Sequence, residues 1–270
     1  MTHRRLFLIA GFLLTTVPGN WLIAHAQDSK KTKGSAEAEN VASGQTPVRV
    51  LLVTGGCCHD YRFQTEAMKQ AMKDAGVSAE WKVVYEGGNG TRAQIDLYND
   101  SHWADGFDVV IHNECFADTN DVEYIRRITR AHEAGANAVV IHCAMHTYRS
   151  VEIDDWRQML GVTSRRHDHQ SNYPIAVVDA DHPIMLGFPA NHVSAKDELY
   201  IIDKVWPNTK VLAESTSEKD GAKHPVFWTN QYGNARVFGT TYGHSSETFQ
   251  DQVFLKALIR GTLWAAGKLE

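Results

Sequence analysis

The stretch Asn137-Ala-Val-Val-Ile-His-Cys-Ala-Met-His146 constrains the fold most. Asn137 to Ile141 is apolar, partly β-branched and led in by Gly135, the pattern of a short strand buried on both faces. The apolar run stops at His142-Cys143, and helical spacing resumes over about Val151 to Leu160. A buried strand that breaks at a sharp turn before a helix suits an open α/β sheet, whose carboxyl edge carries the chemistry. Here that edge receives two imidazoles, His142 and His146, with a thiol, Cys143, between them.

The preceding chain extends the pattern. Val48 to Thr54 reads as a first buried strand, followed by a Gly55-Gly56 turn. Phe63 to Ala75 has helical spacing and stops at Gly76. Ala79 to Tyr85 alternates as a second strand, and Phe107 to His112 is a third, ending in Asn113-Glu114-Cys115. Asp121 to Ala134 reads as a helix with Asn120 or Thr119 near its N-cap. Strands one and four are then plausible neighbours in the sheet. This order, with short turns, predicts a mostly parallel sheet flanked by helices. Past Leu160 the strand candidates are short: Tyr173 to Val178, Tyr200 to Ile202, Lys210 to Leu212, Pro225 to Thr229 and Arg236 to Thr240. Thr248 to Ala266 closes the chain as an amphipathic helix, with Ser245 or Ser246 as its cap.

Residues 1–26 read as an export leader rather than part of the fold. Arg4-Arg5 supplies the charge, Leu6 to Val17 the apolar core, and Ala24-His-Ala26 the small-residue cleavage site. The apolar run is too short to span a bilayer. Arg4-Arg5-Leu-Phe-Leu8 also resembles the twin-arginine signal, so both export routes stay open. Residues 27–46, rich in Ser, Lys, Ala, Glu and Gly, read as a disordered tether, and 47–270 as one domain. The predicted location is periplasmic or extracellular. Losing the leader removes two arginines and no acid, taking the net charge from -5 to -7. A mildly acidic domain without a basic run argues against nucleic acid and suits a small neutral substrate. The four cysteines are not spaced as a disulfide framework: Cys57 and Cys58 are adjacent, and Cys115 and Cys143 each end an apolar run. They read as residues near a site or simply as small buried ones.

Several motifs recur in one order: Ile141-His-Cys-Ala144, His167, Asp181-His-Pro-Ile184, Asp197-Glu-Leu-Tyr200, Pro225-Val-Phe-Trp228, Tyr242-Gly-His-Ser245 and Leu258-Ile-Arg-Gly-Thr-Leu-Trp-Ala-Ala-Gly267. Together they resemble the trehalose-utilisation (ThuA-like) family over nearly all of Val48 to Gly267. The resemblance implies the flavodoxin-like fold of class I glutamine amidotransferases and a role with oxidised (3-keto) disaccharides. Amidotransferases carry a Gly-Cys-Gly elbow at the equivalent turn. His142-Cys143-Ala144 lacks the flanking glycines that relieve such a turn, so a nucleophilic Cys143 is a minor alternative.

The histidines offer another chemistry. A divalent metal such as zinc needs about three neutral imidazoles or carboxylates brought together. His59, His142, His167 and His169 form the candidate set, with His146 nearby. Equally, these side chains could hydrogen-bond separately or line a metal-free sugar pocket, since no CxxC or HExxH spacing decides it. By the family resemblance, Glu198 is a general acid/base or orients a histidine; His142 and His244 complete the catalytic candidates. Gly56, His59, Cys143, His146, Trp228 and Tyr242 are the candidate sugar contacts, with Trp103 a second stacking candidate. Gly55-Gly56 lacks the dinucleotide fingerprint, so no nucleotide cofactor is expected. The leading reading is a lyase or hydrolase acting on a 3-keto glycoside. A non-catalytic sugar-binding module is the alternative from another class.

Overall fold

In the computed structural model residues 46–270 are described. The expected leader, and the expected tether up to residue 45, lie outside the described residues. The alternating segments become β1 (Val48–Gly56), α1 (Tyr61–Asp74), β2 (Ala79–Tyr85), β3 (Val109–Cys115), α2 (Val122–Ala134), β4 (Ala138–Ile141) and α3 (Asp155–Leu160). The second half adds β5 (Val162–Ser171), β6 (Ala176–Val177), β7 (Asp197–Val205), β8 (Thr209–Thr216), β9 (Lys223–Tyr232), β10 (Ala235–Thr240) and α4 (Gln252–Ala265).

Eight strands make the main sheet, in the order β2-β1-β3-β4-β10-β9-β8-β6. The first five neighbours pair in parallel and the last three strands antiparallel. The sheet is flanked by helices, as the flavodoxin-like α/β expectation requires. Strands one and four, expected to be neighbours, are separated by β3. The alternation of β1 builds both layers: Val50 and Leu52 join the cluster holding Met68 of α1 and Leu258 of α4. Leu51 and Val53 join the cluster holding Ile125 of α2 and Met159 of α3.

Helix starts follow capping chemistry. Asp60 and Asp121 accept hydrogen bonds from the backbone N–H groups of Phe63 and Tyr124, satisfying otherwise orphaned donors. The α2 cap is therefore Asp121, not Asn120 or Thr119; Thr119 instead bonds the backbone of Ala93. The last helix also begins later than expected. Ser245 accepts from the N–H of Thr248, which opens a separate 3-10 turn, Thr248–Gln250, while Asp251 caps α4 through Val253.

The largest departure is β5, which was not expected as a strand. It pairs antiparallel with β7 in a separate two-stranded sheet with three register shifts. Its sequence, Val-Thr-Ser-Arg-Arg-His-Asp-His-Gln-Ser, has almost no apolar alternation because most of its side chains face solvent or other polar groups. Among the described residues no helix is long and apolar enough to cross a membrane.

Candidate active site

Four adjacent strands, β1, β3, β4 and β10, end on the same edge of the sheet. At or just beyond those ends lie Cys57 to His59, Cys115, His142-Cys143 and His244. Parallel order alone therefore gathers residues far apart in sequence at one carboxyl edge. The β5–β7 ribbon adds His167 and Gln170 from one strand and Glu198 and Tyr200 from the other.

Three imidazoles form the centre. Ring centroids lie 4.9 Å apart for His59–His142, 4.8 Å for His59–His244 and 5.4 Å for His142–His244. Backbone carbonyls set two tautomers. His59 Nδ1–H donates to the His244 carbonyl at 3.0 Å, and His142 Nδ1–H donates to the Thr241 carbonyl at 2.6 Å. A carbonyl can only accept, so each Nε2 carries the ring's lone pair. Burial favours the neutral ring in both: it pulls His59 down to about 4 and His142 well below the ordinary histidine value. His59 Nε2 is buried with no hydrogen-bond partner. His142 Nε2 faces the Tyr200 hydroxyl at 3.2 Å and Glu198 Oε2 at 3.8 Å. His142 itself holds a positive φ of 44°, so the turn is made by a non-glycine residue despite the missing glycines.

Opposite them an imidazole faces a carboxylate. His244 Nδ1 lies 3.2 Å from Glu198 Oε2, too bent for a full hydrogen bond, and Gln170 Nε2 lies 2.8 Å from His244 Nε2. Glu198 raises His244 above its ordinary pKa, against the opposing effect of burial. Burial pushes the Glu198 carboxyl up, but His244 and His167 outweigh it and hold the group low. One buried carboxylate positions this half of the site. Asp197 accepts from the backbone N–H groups of Gly243 at 3.0 Å, His244 at 3.2 Å and Glu198 at 2.7 Å, and from the Thr248 hydroxyl. Burial nevertheless lifts it to about 6. Sequence reasoning missed Asp197, because nothing near an acidic pair before a strand shows the distant backbone amides it will meet.

The expected site residues divide. His59, His142, Cys143, Glu198 and His244 converge. His167 stands at their rim, its Nδ1 3.6 Å from Glu198 Oε2 and 2.7 Å from the Asp168 carbonyl. His169 lies apart, held by Asp168 at 2.9 Å and Glu218 at 2.7 Å. His146 stacks on Tyr200 and is used up inside: its Nε2 lies 3.1 Å from Ser164 Oγ, and Arg149 approaches its other nitrogen at 3.4 Å. It braces Tyr200 rather than facing the crevice.

Trp228 is wholly buried, with its indole N–H on the Leu160 carbonyl at 2.8 Å, and Gly239 exists where a Cβ would strike that ring. Tyr242 is also core, its hydroxyl donating to Ser215 at 2.9 Å. Trp103 is buried too. None of these three can stack on a sugar from where it sits. Gly56 does permit a close approach, but to protein: at φ 95° a Cβ there would meet the Cys115 carbonyl oxygen at 2.4 Å. The cysteines are corrected as well. Cys57 and Cys58 are joined by a disulfide between sequence neighbours, and Cys58 is exposed. Cys115 and Cys143 are free and buried. A hydrogen bond with Cys115, and burial, push the Cys143 thiol well above its usual pKa. That disfavours a thiolate nucleophile.

Comparison with known proteins agrees with this architecture. A ThuA-like protein from Parabacteroides merdae has 24% identity and a TM-score of 0.66, covering 83% of this chain and 92% of that one. A ThuA-like protein from Bacteroides uniformis has 16% identity and a TM-score of 0.63, covering 83% and 94%. A β-galactosidase from Bacillus circulans sp. alkalophilus matches at 13% identity and a TM-score of 0.52, over 82% of this chain and 31% of that larger one. Curated proteins gave no match. The profile of the ThuA family, described as trehalose utilisation, matches residues 49–265. The chain belongs to the ThuA family.

Proposed function

We propose that this protein is an exported enzyme that cleaves a 3-keto glycoside as a lyase or hydrolase. Family membership supports a carbohydrate-related role, and the leader-like residues 1–26 support export. The observation that carries the chemistry is the opposition of two unprotonated Nε2 atoms, on His59 and His142, to the proton-holding His244–Glu198 pair. Groups whose surroundings drive their pKa values apart are suited to separate acid and base roles.

In such a substrate the ketone acidifies the hydrogen on the carbon between it and the anomeric centre. His59 or His142 takes that proton, and the C–H electron pair moves to the ketone as an enolate. The enolate then expels the glycosidic oxygen, which takes its proton from His244, leaving a double bond conjugated with the ketone. Stopping there is a lyase reaction; adding water to the anomeric carbon completes hydrolysis. Glu198 holds and orients His244 throughout.

The same donors suit a divalent metal such as zinc. His59 Nε2 is an orphaned buried nitrogen, His142 Nε2 carries a lone pair, and His142, Glu198 and His244 offer ligand atoms within 4.8 Å of one another. His142, Glu198 and His244 would hold the ion, or His59 and His142 with Cys143, and the ion would supply polarisation of the ketone oxygen. Elemental analysis of the purified protein and of His142→Ala tests this directly. Near-stoichiometric metal lost in the variant is expected; a metal-free, folded, active protein would remove the ion from the reading.

The chemistry itself is tested by turnover of a 3-keto glycoside. Replacing His244 with Gln should lower kcat by roughly 10²-fold or more, the usual worth of a positioned acid. Unchanged turnover after replacing both His142 and Glu198 would sink the proposal.

A further inference from the structure

The sulfur atoms behind this site form a cluster that the proposed sugar chemistry does not use. The Cys57–Cys58 disulfide leaves β1 at the surface end, with Cys58 exposed and Cys57 half-buried. The free Cys115 Sγ, at the end of β3, lies 3.7 Å from Cys57 Sγ, close to contact for two sulfurs. All three sulfurs fall within 4.8 Å of one another. The buried Cys143 packs in the same cluster as Cys115. Such a cluster is chemically specific: a thiol beside a disulfide can exchange with it and needs no oxidant.

We propose that this cluster is a thiol–disulfide exchange site in which the disulfide passes from Cys57–Cys58 to Cys57–Cys115. The Cys115 sulfur attacks Cys57 Sγ, the Cys57–Cys115 bond forms, and the Cys57–Cys58 bond breaks. The electron pair leaves on Cys58, which takes up the proton that Cys115 gives up, so nothing is oxidised or reduced overall. Cys57 is the sulfur attacked because it is the one in contact at 3.7 Å and because its partner leaves at the exposed position; the three sulfurs sit as a triangle, so the Cys115 side chain must turn into line with the Cys57–Cys58 bond to attack. The product is a free Cys58 thiol at the surface, able to exchange with the disulfide of a small molecule or another protein. His59 follows Cys58 directly, and the Cys57 carbonyl accepts a bond from Tyr61 at 2.9 Å. Moving the disulfide therefore also disturbs the turn that delivers His59.

Peptide mapping by mass spectrometry, on unreduced folded protein alkylated with iodoacetamide, tests the transfer. In the native chain, labelled Cys58 without a Cys57–Cys115 linkage would overturn the proposal. Slow alkylation of Cys58 should accompany a Cys57–Cys115 link, and should fall to background in Cys115→Ser. A native protein whose Cys58 never labels, or a Cys115→Ser protein that labels equally, would also overturn it. None of these readouts depends on sugar turnover, so they stand apart from the proposed function.

Discussion

Asp197 illustrates what a single buried group does here. Its carboxylate gathers three backbone N–H groups and one hydroxyl, and two of those N–H groups belong to the Gly243-His244 turn. Asp197→Asn keeps the volume but points an NH₂ at donors, leaving at least one unpaired. We expect a loss of about 2–3 kcal/mol in urea unfolding, with a parallel loss of turnover because His244 is no longer held. Unaltered stability would mean that the carboxylate is not the anchor. Gly56 makes a second case. With φ at 95° and the Cys115 carbonyl in the place of a Cβ, Gly56→Ala should cost roughly 2 kcal/mol or more. A neutral substitution would show that β1 and β3 can separate locally. Both residues are visible in the sequence, yet Asp197 reads only as the neighbour of Glu198 and Gly56 as a candidate sugar contact. Neither local pattern contains the distant backbone group that explains it.

At the level of elements, legibility follows burial. β1, β3 and β4 are apolar because the sheet covers them on both faces, so their core residues were readable directly. β3 nevertheless runs to Cys115, beyond the expected His112, because His112, Asn113 and Glu114 are buried polar residues that satisfy one another or neighbours. β5 was unreadable for the opposite reason: a two-stranded ribbon at the crevice is held by pairing with β7, not by an apolar face. α4 starts late because Asp251 offers its side chain to Val253 and its second oxygen to His192 Nε2 at 2.8 Å. Asp251→Ala removes both, and we expect a loss of about 1–2 kcal/mol by chemical denaturation. An unchanged midpoint would leave packing of the apolar face, rather than the cap, as what holds this helix.

Over the whole molecule, buried histidines should make stability fall on acidification. Burial holds His59 at about 4 and His132 and His146 at about 3, with His142 also well below its usual value. An unfolded chain takes these protons near ~6.5 and the folded chain does not. The unfolded state then binds more protons, so the contribution present above ~6.5 is lost as pH falls toward 4 and below. Asp197 opposes this: its carboxyl, lifted to about 6, favours folding at low pH and loses that contribution as pH rises through 6. His244, raised by Glu198, opposes the loss too, but four depressed rings outweigh these two groups, so Tm should drop between pH 6.5 and 4, and His146→Gln should flatten the slope. A Tm that holds level across that window would contradict the burial of these rings.

The sequence by itself determined the α/β class, the helix-flanked parallel half and the strand-to-turn break at His142. These follow from periodicity and capping, which act within a few residues of one another. The ordered motifs carried the family and pointed to Glu198 and His244. Only the tertiary structure decided that β3 sits between β1 and β4, and that Asp197 anchors the His244 turn. It also decided that Trp228 and Tyr242 are core, that His169 stands apart and that Cys57 is bonded to Cys58 beside Cys115. Each of those depends on which distant backbone carbonyl, amide or sulfur comes within a few ångströms. That proximity is set by strand order and by the β5–β7 ribbon, and neither has a local signature in the chain.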